Sequence, residues 1–190
     1  MLVDGGLRCD PGDPSSAARS ARQGARYGYH RLFTAELAHD PFLPIALAAG
    51  AADIGLGTDI AVAFARTPMT VATTARDLQA LTGGRFVLGL GSQVKAHITR
   101  RFSMPWSQPA ARMREFILAV RAIWQGWDEG TAPNFAGEFY THTLSAPMFE
   151  PGPAAHPAPP IQLAAVGPLM TEVAGEVADG LLCHAFTSAS

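Results

Sequence analysis

The sequence predicts an α/β fold built on a parallel sheet, and three observations lead there. Up to Gly91 the chain alternates short apolar runs with stretches of helical spacing, in the order strand, helix, strand, helix, strand, helix, strand. That alternation is the pattern of βα units, which lay parallel strands side by side. Phe86-Val87-Leu88 is a continuous apolar run, as a strand covered on both faces requires. Glycine, proline and capping residues stand at the borders of these runs, where the chain must reverse.

Met1 to Leu7 reads as a first strand, broken by Asp10-Pro11-Gly12-Asp13-Pro14. Asp13 to Ser16 brings capping oxygens and a proline pre-set for a first helical turn, so a helix is expected from about Ser15 to Tyr27, ended by Gly28. Tyr29 to Ala35 is the second strand, with His30 directed at a helix layer, and Glu36 to Pro44 is the loop leaving it. Pro44 to Ala52 reads as helix, and Ile54 to Ala63 as a third strand interrupted by Gly55, Gly57 and Asp59. Thr67-Pro68 marks a helix start, after which Val71, Ala75, Leu78 and Leu81 recur at helical spacing. Thr82-Gly83-Gly84 closes that helix, residues 85–91 form the fourth strand, and a basic, aromatic-bearing loop runs on to Trp106.

Met113, Phe116, Ile117, Val120, Ile123, Trp124 and Trp127 share one helical stripe, with Arg112, Arg114, Arg121 and Gln125 opposite. Core packing accounts for that stripe, the two tryptophans included. Asp128 to Pro160 is a Pro/Gly-rich insertion with a hairpin around Phe135 to Tyr140. It is too long for an ordinary βα connection, and such insertions at strand C-terminal ends tend to face substrate. Ile161 to Val166 is the fifth strand, Leu169 to Ala178 a helix, and residues 180–185 the sixth strand.

At 190 residues, 48% of them hydrophobic, the chain suits one well-buried domain over 1–190. A net charge of −2, with 14 Lys+Arg against 16 Asp+Glu, gives no long-range field for nucleic acid or membrane surface. Two cysteines, Cys9 and Cys183, stand near opposite ends and make no disulfide framework. No apolar run approaches the ~20 residues of a membrane span, and no secretory leader is visible, so a cytoplasmic protein is expected.

In a parallel βα architecture the chemistry lies at the strand C-terminal ends. The second exit carries Glu36, His39 and Asp40, where a neighbouring carboxylate could hold the imidazole and tune it for proton transfer. The same carboxylates could instead cap the next helix. The fourth exit, Gly89-Leu90-Gly91-Ser92-Gln93-Val94-Lys95, offers backbone N–H groups and a cation to a phosphate, or turns the chain and no more. Arg100 and Arg101 read as a solvated basic turn. No H-E-x-x-H, paired C-x-x-C or G-x-S-x-G pattern occurs, so neither a metal site nor a serine nucleophile is expected.

The runs TAELAHDPFLP, LTGGRFVLGLGSQVKAHITRRFSMPW and AAVGPLMTEVAGEVADGLLCHAF, in that order, resemble the luciferase-like monooxygenase family, and within it the branch that uses the deazaflavin coenzyme F420. The likeness runs from Leu2 to about Phe186. It implies a (β/α)8 TIM-type barrel of which this sequence carries about six βα units, its open edge either left exposed or covered by a partner, and a homodimer is expected. It further implies a hydride transfer between F420 and a small organic substrate, the coenzyme carrying the redox step. An FMN-dependent monooxygenase, or a silent truncated barrel serving only in binding or assembly, is the alternative.

Residue by residue, the resemblance implies an acidic residue followed by His at the second exit. Glu36 matches the first and Leu37 stands at the second, which moves the proton-handling role to His39, flanked by Asp40. Thr58-Asp59-Ile60 is the expected strand bulge against the deazaflavin, with a non-prolyl cis peptide expected at Asp59–Ile60. For the phosphate-bearing tail the expected cradle is Gly89, Gly91, Ser92, Gln93, Val94 and Lys95, faced by Val166, Gly167 and Pro168.

Overall fold

In a computed structural model the structure describes residues 1–184. Its order is β1 (Asp4–Gly6), α1 (Ser15–Arg26), β2 (Arg31–Thr34), α2 (Leu43–Ala48), β3 (Gly55–Thr58), β4 (Ala61–Val62), α3 (Pro68–Leu81), β5 (Phe86–Gly91), α4 (Lys95–Arg100), α5 (Pro109–Glu129), β6 (Phe135–Ala136), β7 (Thr141–His142), β8 (Ile161–Ala165), α6 (Pro168–Val177) and β9 (Gly180–Cys183). The main sheet runs β1-β2-β3-β5-β8-β9, parallel at every junction, with β4 added beside β5. This is the consecutive order expected of βα units, curled as a half-barrel with its helices packed on one side. Residue 185, which the sequence places in the last strand, lies outside the described residues.

Sequence alternation decides which face is which. Leu32 meets α1 at Gly24 and continues through Leu56, Phe86, Leu88, Ile161 and Leu163 as a fully buried row under the helices. The opposite face carries Phe33, Gly57, Val87, Gly89, Gln162, Gly180 and Leu182. Three of these seven are glycines, Gly57, Gly89 and Gly180, set among the larger Phe33, Val87, Gln162 and Leu182.

α3 begins on a reciprocal capping box between Thr67 and Thr70, with Pro68 in the first turn, as the sequence indicates. α5 ends at Gly130, whose φ of 65° is the left-handed cap that favours glycine. Trp124 and Trp127 are core residues, and Trp124 Nε1 donates to the Ala72 carbonyl at 3.0 Å.

The third strand is divided into β3 and β4 by a bulge, where the resemblance implies one. Three expectations change. The basic loop after β5 contains a short helix, α4, because Lys95 to Arg100 has no glycine or proline to interrupt a turn. Arg112 lies buried, stacked over Phe64 at 4.9 Å, with Nε donating to Tyr140 Oη and Nη1 to the Pro105 carbonyl. Its guanidinium is satisfied by groups outside its own helix, which helical periodicity cannot register. His30 precedes β2 and is exposed, at the strand N-terminal end rather than under a helix.

Candidate functional site

Because the strands are parallel, their exits share one rim. At the second exit Glu36 is buried. Its Oε2 accepts from the Val62 N–H at 2.7 Å and from Arg66 Nη1 at 2.6 Å. Arg66 Nη2 reaches Asp40 Oδ2 at 3.1 Å, and its guanidinium lies 5.3 Å from the Phe42 ring centre. The other Asp40 oxygen accepts from the N–H groups of Phe42 and Leu43, at 2.8 and 3.2 Å, capping the start of α2. Both carboxylates are therefore engaged by Arg66 and main chain. His39 is exposed, and among the described residues neither carboxylate bonds to it. The expectation that Glu36 and Asp40 hold His39 gives way to an Arg66-centred cluster.

Arg66 went unrecognised in the sequence because it directly precedes the Thr67-Pro68 helix signal and reads as a surface residue. A basic residue at a strand exit facing an acidic one at its neighbour's exit was the available signal.

The bulge lies at the third exit. Gly57 pairs with Val87 and Ala61 with Leu90, so four steps on β3–β4 answer three on β5. Thr58 Oγ1 spans the gap, donating to the Gly89 carbonyl at 2.7 Å and accepting from the Gly89 N–H at 2.9 Å. The Asp59–Ile60 peptide is cis, as the resemblance implies. Asp59 N–H donates to the Thr34 carbonyl at 2.6 Å. The Asp59 carboxyl has no hydrogen bond or ion pair among the described residues, and lines a cavity of about 290 Å³ with Asp4, Gly6, Phe33 and Thr34. Asp59 is exposed overall, and the partial desolvation of its carboxyl raises the pKa above the ordinary carboxylate value.

The expected phosphate cradle is rearranged. A Cβ on Gly89 would stand 1.8 Å from the Thr58 carbonyl oxygen, and one on Gly91 would stand 2.9 Å from the Ile60 side chain. On their Cβ side these glycines admit neighbouring protein. Thr58 is fully buried, and its hydroxyl is spent on Gly89. Gln93 is left-handed at φ 59°, and its side-chain oxygen accepts from the Val94 N–H at 3.0 Å, so that donor is covered. Ser92 Oγ donates to the Gln93 carbonyl. Lys95 opens α4 and is exposed. Arg101, expected in a solvated turn, donates to the Leu37 carbonyl and ties α4 to the second exit.

Across the rim, Val166 is exposed and Gly167 caps α6, followed by Pro168. A Cβ on Gly167, or on Gly6, would meet nothing within 4 Å, so these two glycines do border free space. An apolar groove of about 610 Å³ runs from Gly167 and Leu169 to Ala110 at the start of α5. The insertion is fastened nearby: Glu115 on α5 accepts from the N–H groups of Glu138, Phe139 and Tyr140 at 2.9, 2.7 and 2.6 Å.

The profile of the luciferase-like monooxygenase family matches residues 3–190. The uncharacterized protein Rv1360 of Mycobacterium tuberculosis is 52% identical over 186 residues, a match covering 96% of this chain and 55% of that one. The chain thus spans about half the length of such relatives. Among solved structures, the coenzyme F420 dependent tetrahydromethanopterin reductase of Methanopyrus kandleri superposes with a TM-score of 0.73 at 22% identity, over 96% of this chain and 56% of that one. The oxygenating constituent of 3,6-diketocamphane monooxygenase of Pseudomonas putida, in complex with FMN, gives a TM-score of 0.68 at 18% identity, over 87% and 52%. No helix among the described residues is long and apolar enough to cross a membrane.

Proposed function

The chain belongs to the luciferase-like monooxygenase family, and from that premise we propose that it serves an oxidoreductase that binds coenzyme F420 on the concave face and acts on a small organic substrate. The observation that supports this most is the Thr58–Ile60 bulge beside a cavity lined by Gly5, Gly6 and Phe33, because a planar ring needs a flat wall and a fixed main-chain edge. The donor set fits such a group. Gly6 and Gly167 leave space that a side chain would fill, Phe33 gives an apolar wall, and Lys95 with the Gly167 cap supplies positive potential for a phosphate-bearing tail.

When bound, the coenzyme supplies the hydride acceptor or donor. The protein's part is placement. Glu36 and Asp40, locked to Arg66, fix the second exit against the third, so they act as positioning residues instead of proton carriers. His39, exposed beside them, is left with a role at the rim. The insertion hairpin held by Glu115 and the apolar groove beside Leu169 fit an organic substrate of low polarity. The remaining parts of the reading are a homodimer in the cytoplasm, with no nucleic-acid partner.

FMN is the second reading, favoured by the FMN-bound structural relative. Titration of the protein with F420 and, separately, with FMN, followed by fluorescence quenching, tests the two. F420 should bind at least about tenfold tighter, a difference of ~1.4 kcal/mol. Tighter binding of FMN would reverse the assignment, and binding of neither would favour an assembly role for this chain.

A further inference from the structure

At the N-terminal ends of the strands, opposite the rim, a cavity of about 430 Å³ is lined by His30, Arg31, Asp53, Gly55, Arg85 and Pro160. Arg31 pairs with Gly55 on β3, and since Leu56 pairs with Phe86, Arg85 stands on the other flank of Gly55. Alternation with the buried Leu32, Leu56 and Phe86 puts this row on the concave side, the two arginine Cα atoms ~10 Å apart with no side chain between them. The Arg31 stem crosses that gap. Its Cγ and Cδ lie 2.5 and 3.3 Å from where a Gly55 Cβ would stand. Arg85 leans toward β3 from the other side, its Nε donating to the Ile54 carbonyl at 3.3 Å.

Little in the chain answers this charge. Arg85 Nε also meets Asp53 Oδ1 at 3.3 Å, but that carboxylate is 92% exposed and solvent screens the pair. Arg31 has no hydrogen bond or ion pair among the described residues. Asp4 stands beside it in the register, yet makes no ion pair with it and lines the other cavity. We propose that Arg31 and Arg85 form a binding site for a phosphoryl group, distinct from the coenzyme site and independent of the oxidoreductase reading. A guanidinium presents its N–H donors in a planar fork that matches phosphate oxygens in pairs, so two forks gathered over a bare glycine can share one tetrahedral anion. Beyond them the cavity continues along Tyr29, Val87 and Pro160, which gives room for an organic body on that group.

The test is calorimetric titration of the 190-residue chain, as wild type, Arg31→Gln, Arg85→Gln and Lys95→Gln, with inorganic phosphate and with phenyl phosphate as probes. Each arginine variant should bind the probes at least about tenfold more weakly than wild type, the scale of hydrogen bonds to a charged group. Lys95 follows Gly91, which the length of β5 puts ~20 Å from Arg85, beyond the reach of an unscreened charge at physiological salt. Lys95→Gln should therefore keep the wild-type affinity within about twofold. Tighter binding of phenyl phosphate than of inorganic phosphate would support an organic monoester as the ligand, and equal binding would support free phosphate.

Absence of binding of both probes by the wild type would overturn the proposal, as would a loss confined to Lys95→Gln or shared equally by all three variants. Where a glutamine variant does not fold, its lysine counterpart decides. Arg31→Lys and Arg85→Lys keep the charge and lose the fork, so binding at least about threefold weaker than wild type upholds the site and unchanged binding overturns it.

Discussion

Glu36 and Arg66, thirty positions apart, meet at 2.6 Å where two strands leave the sheet, with side-chain exposures of 7% and 19%. The pair also holds the Val62 N–H and Asp40, so it joins the ends of β2 and β4 to the start of α2. Removing Arg66 would leave a buried carboxylate with one main-chain donor. Arg66→Ala is expected to lower unfolding free energy by about 3 kcal/mol, the scale for stranding one member of a buried pair. Glu36→Gln, which keeps an acceptor for Val62, should cost less. Urea unfolding of both variants checks the order, and equal losses would contradict it.

The rim glycines should separate into two kinds. Gly89→Ala drives a methyl against the Thr58 carbonyl and should destabilise by about 3 kcal/mol or prevent folding, at or beyond the upper end of ordinary overpacking. Gly167→Ala adds a methyl to free space at an ordinary φ of −95°, and stability should stay within about 0.5 kcal/mol. If Gly167 borders the coenzyme tail, the same variant weakens F420 binding while melting normally. Thermal melts followed by F420 titration give both readings.

Glu115 accepts three consecutive main-chain N–H groups of the insertion, and Gly137 is needed beneath it because a Cβ there would stand 2.2 Å from Glu115 Oε1. Glu115→Ala should free the hairpin, with a stability loss of about 2 kcal/mol from charge-assisted bonds. Limited proteolysis would find the change: cleavage within 135–142 should become faster than in the wild type.

His142 ends that hairpin with Nε2 buried and without a partner among the described residues, and burial lowers its pKa below 6.5. The unfolded chain then binds the proton more readily than the folded one. Stability contributed by neutral His142 is present above pH 6.5 and declines as pH falls below it. The wild-type melting temperature should drop more between pH 8 and pH 5 than that of His142→Gln. Parallel curves would show that the ring titrates freely.

The sheet was legible in sequence because local pattern suffices for it. Continuous apolar runs such as Phe86 to Leu88 mark a strand covered on both faces, and Thr67-Pro68 marks a capped helix whatever packs on it. Arg112 was misplaced because its partners, Tyr140 and the Pro105 carbonyl, come from outside its helix. A related reason applies to Gly89 and Gly91. A glycine records that something comes close, and only the fold identifies the Thr58 carbonyl and Ile60 as what does. The bulge and its cis peptide came from the resemblance, since nothing in the wording of Thr58-Asp59-Ile60 alone separates a bulge from a plain strand.

A strand carrying one surplus residue can in principle shed it one position earlier or later, and each choice would present a different side chain at the rim. Thr58 forecloses that freedom, since its hydroxyl is both donor and acceptor to a single residue of the neighbouring strand, Gly89. Sliding the surplus by one position would break both bonds. The consequence is a phase lock: which residue faces the cavity is decided by a hydroxyl pointing the other way, so replacing Thr58 with the isosteric valine would alter the rim without touching any residue that lines it.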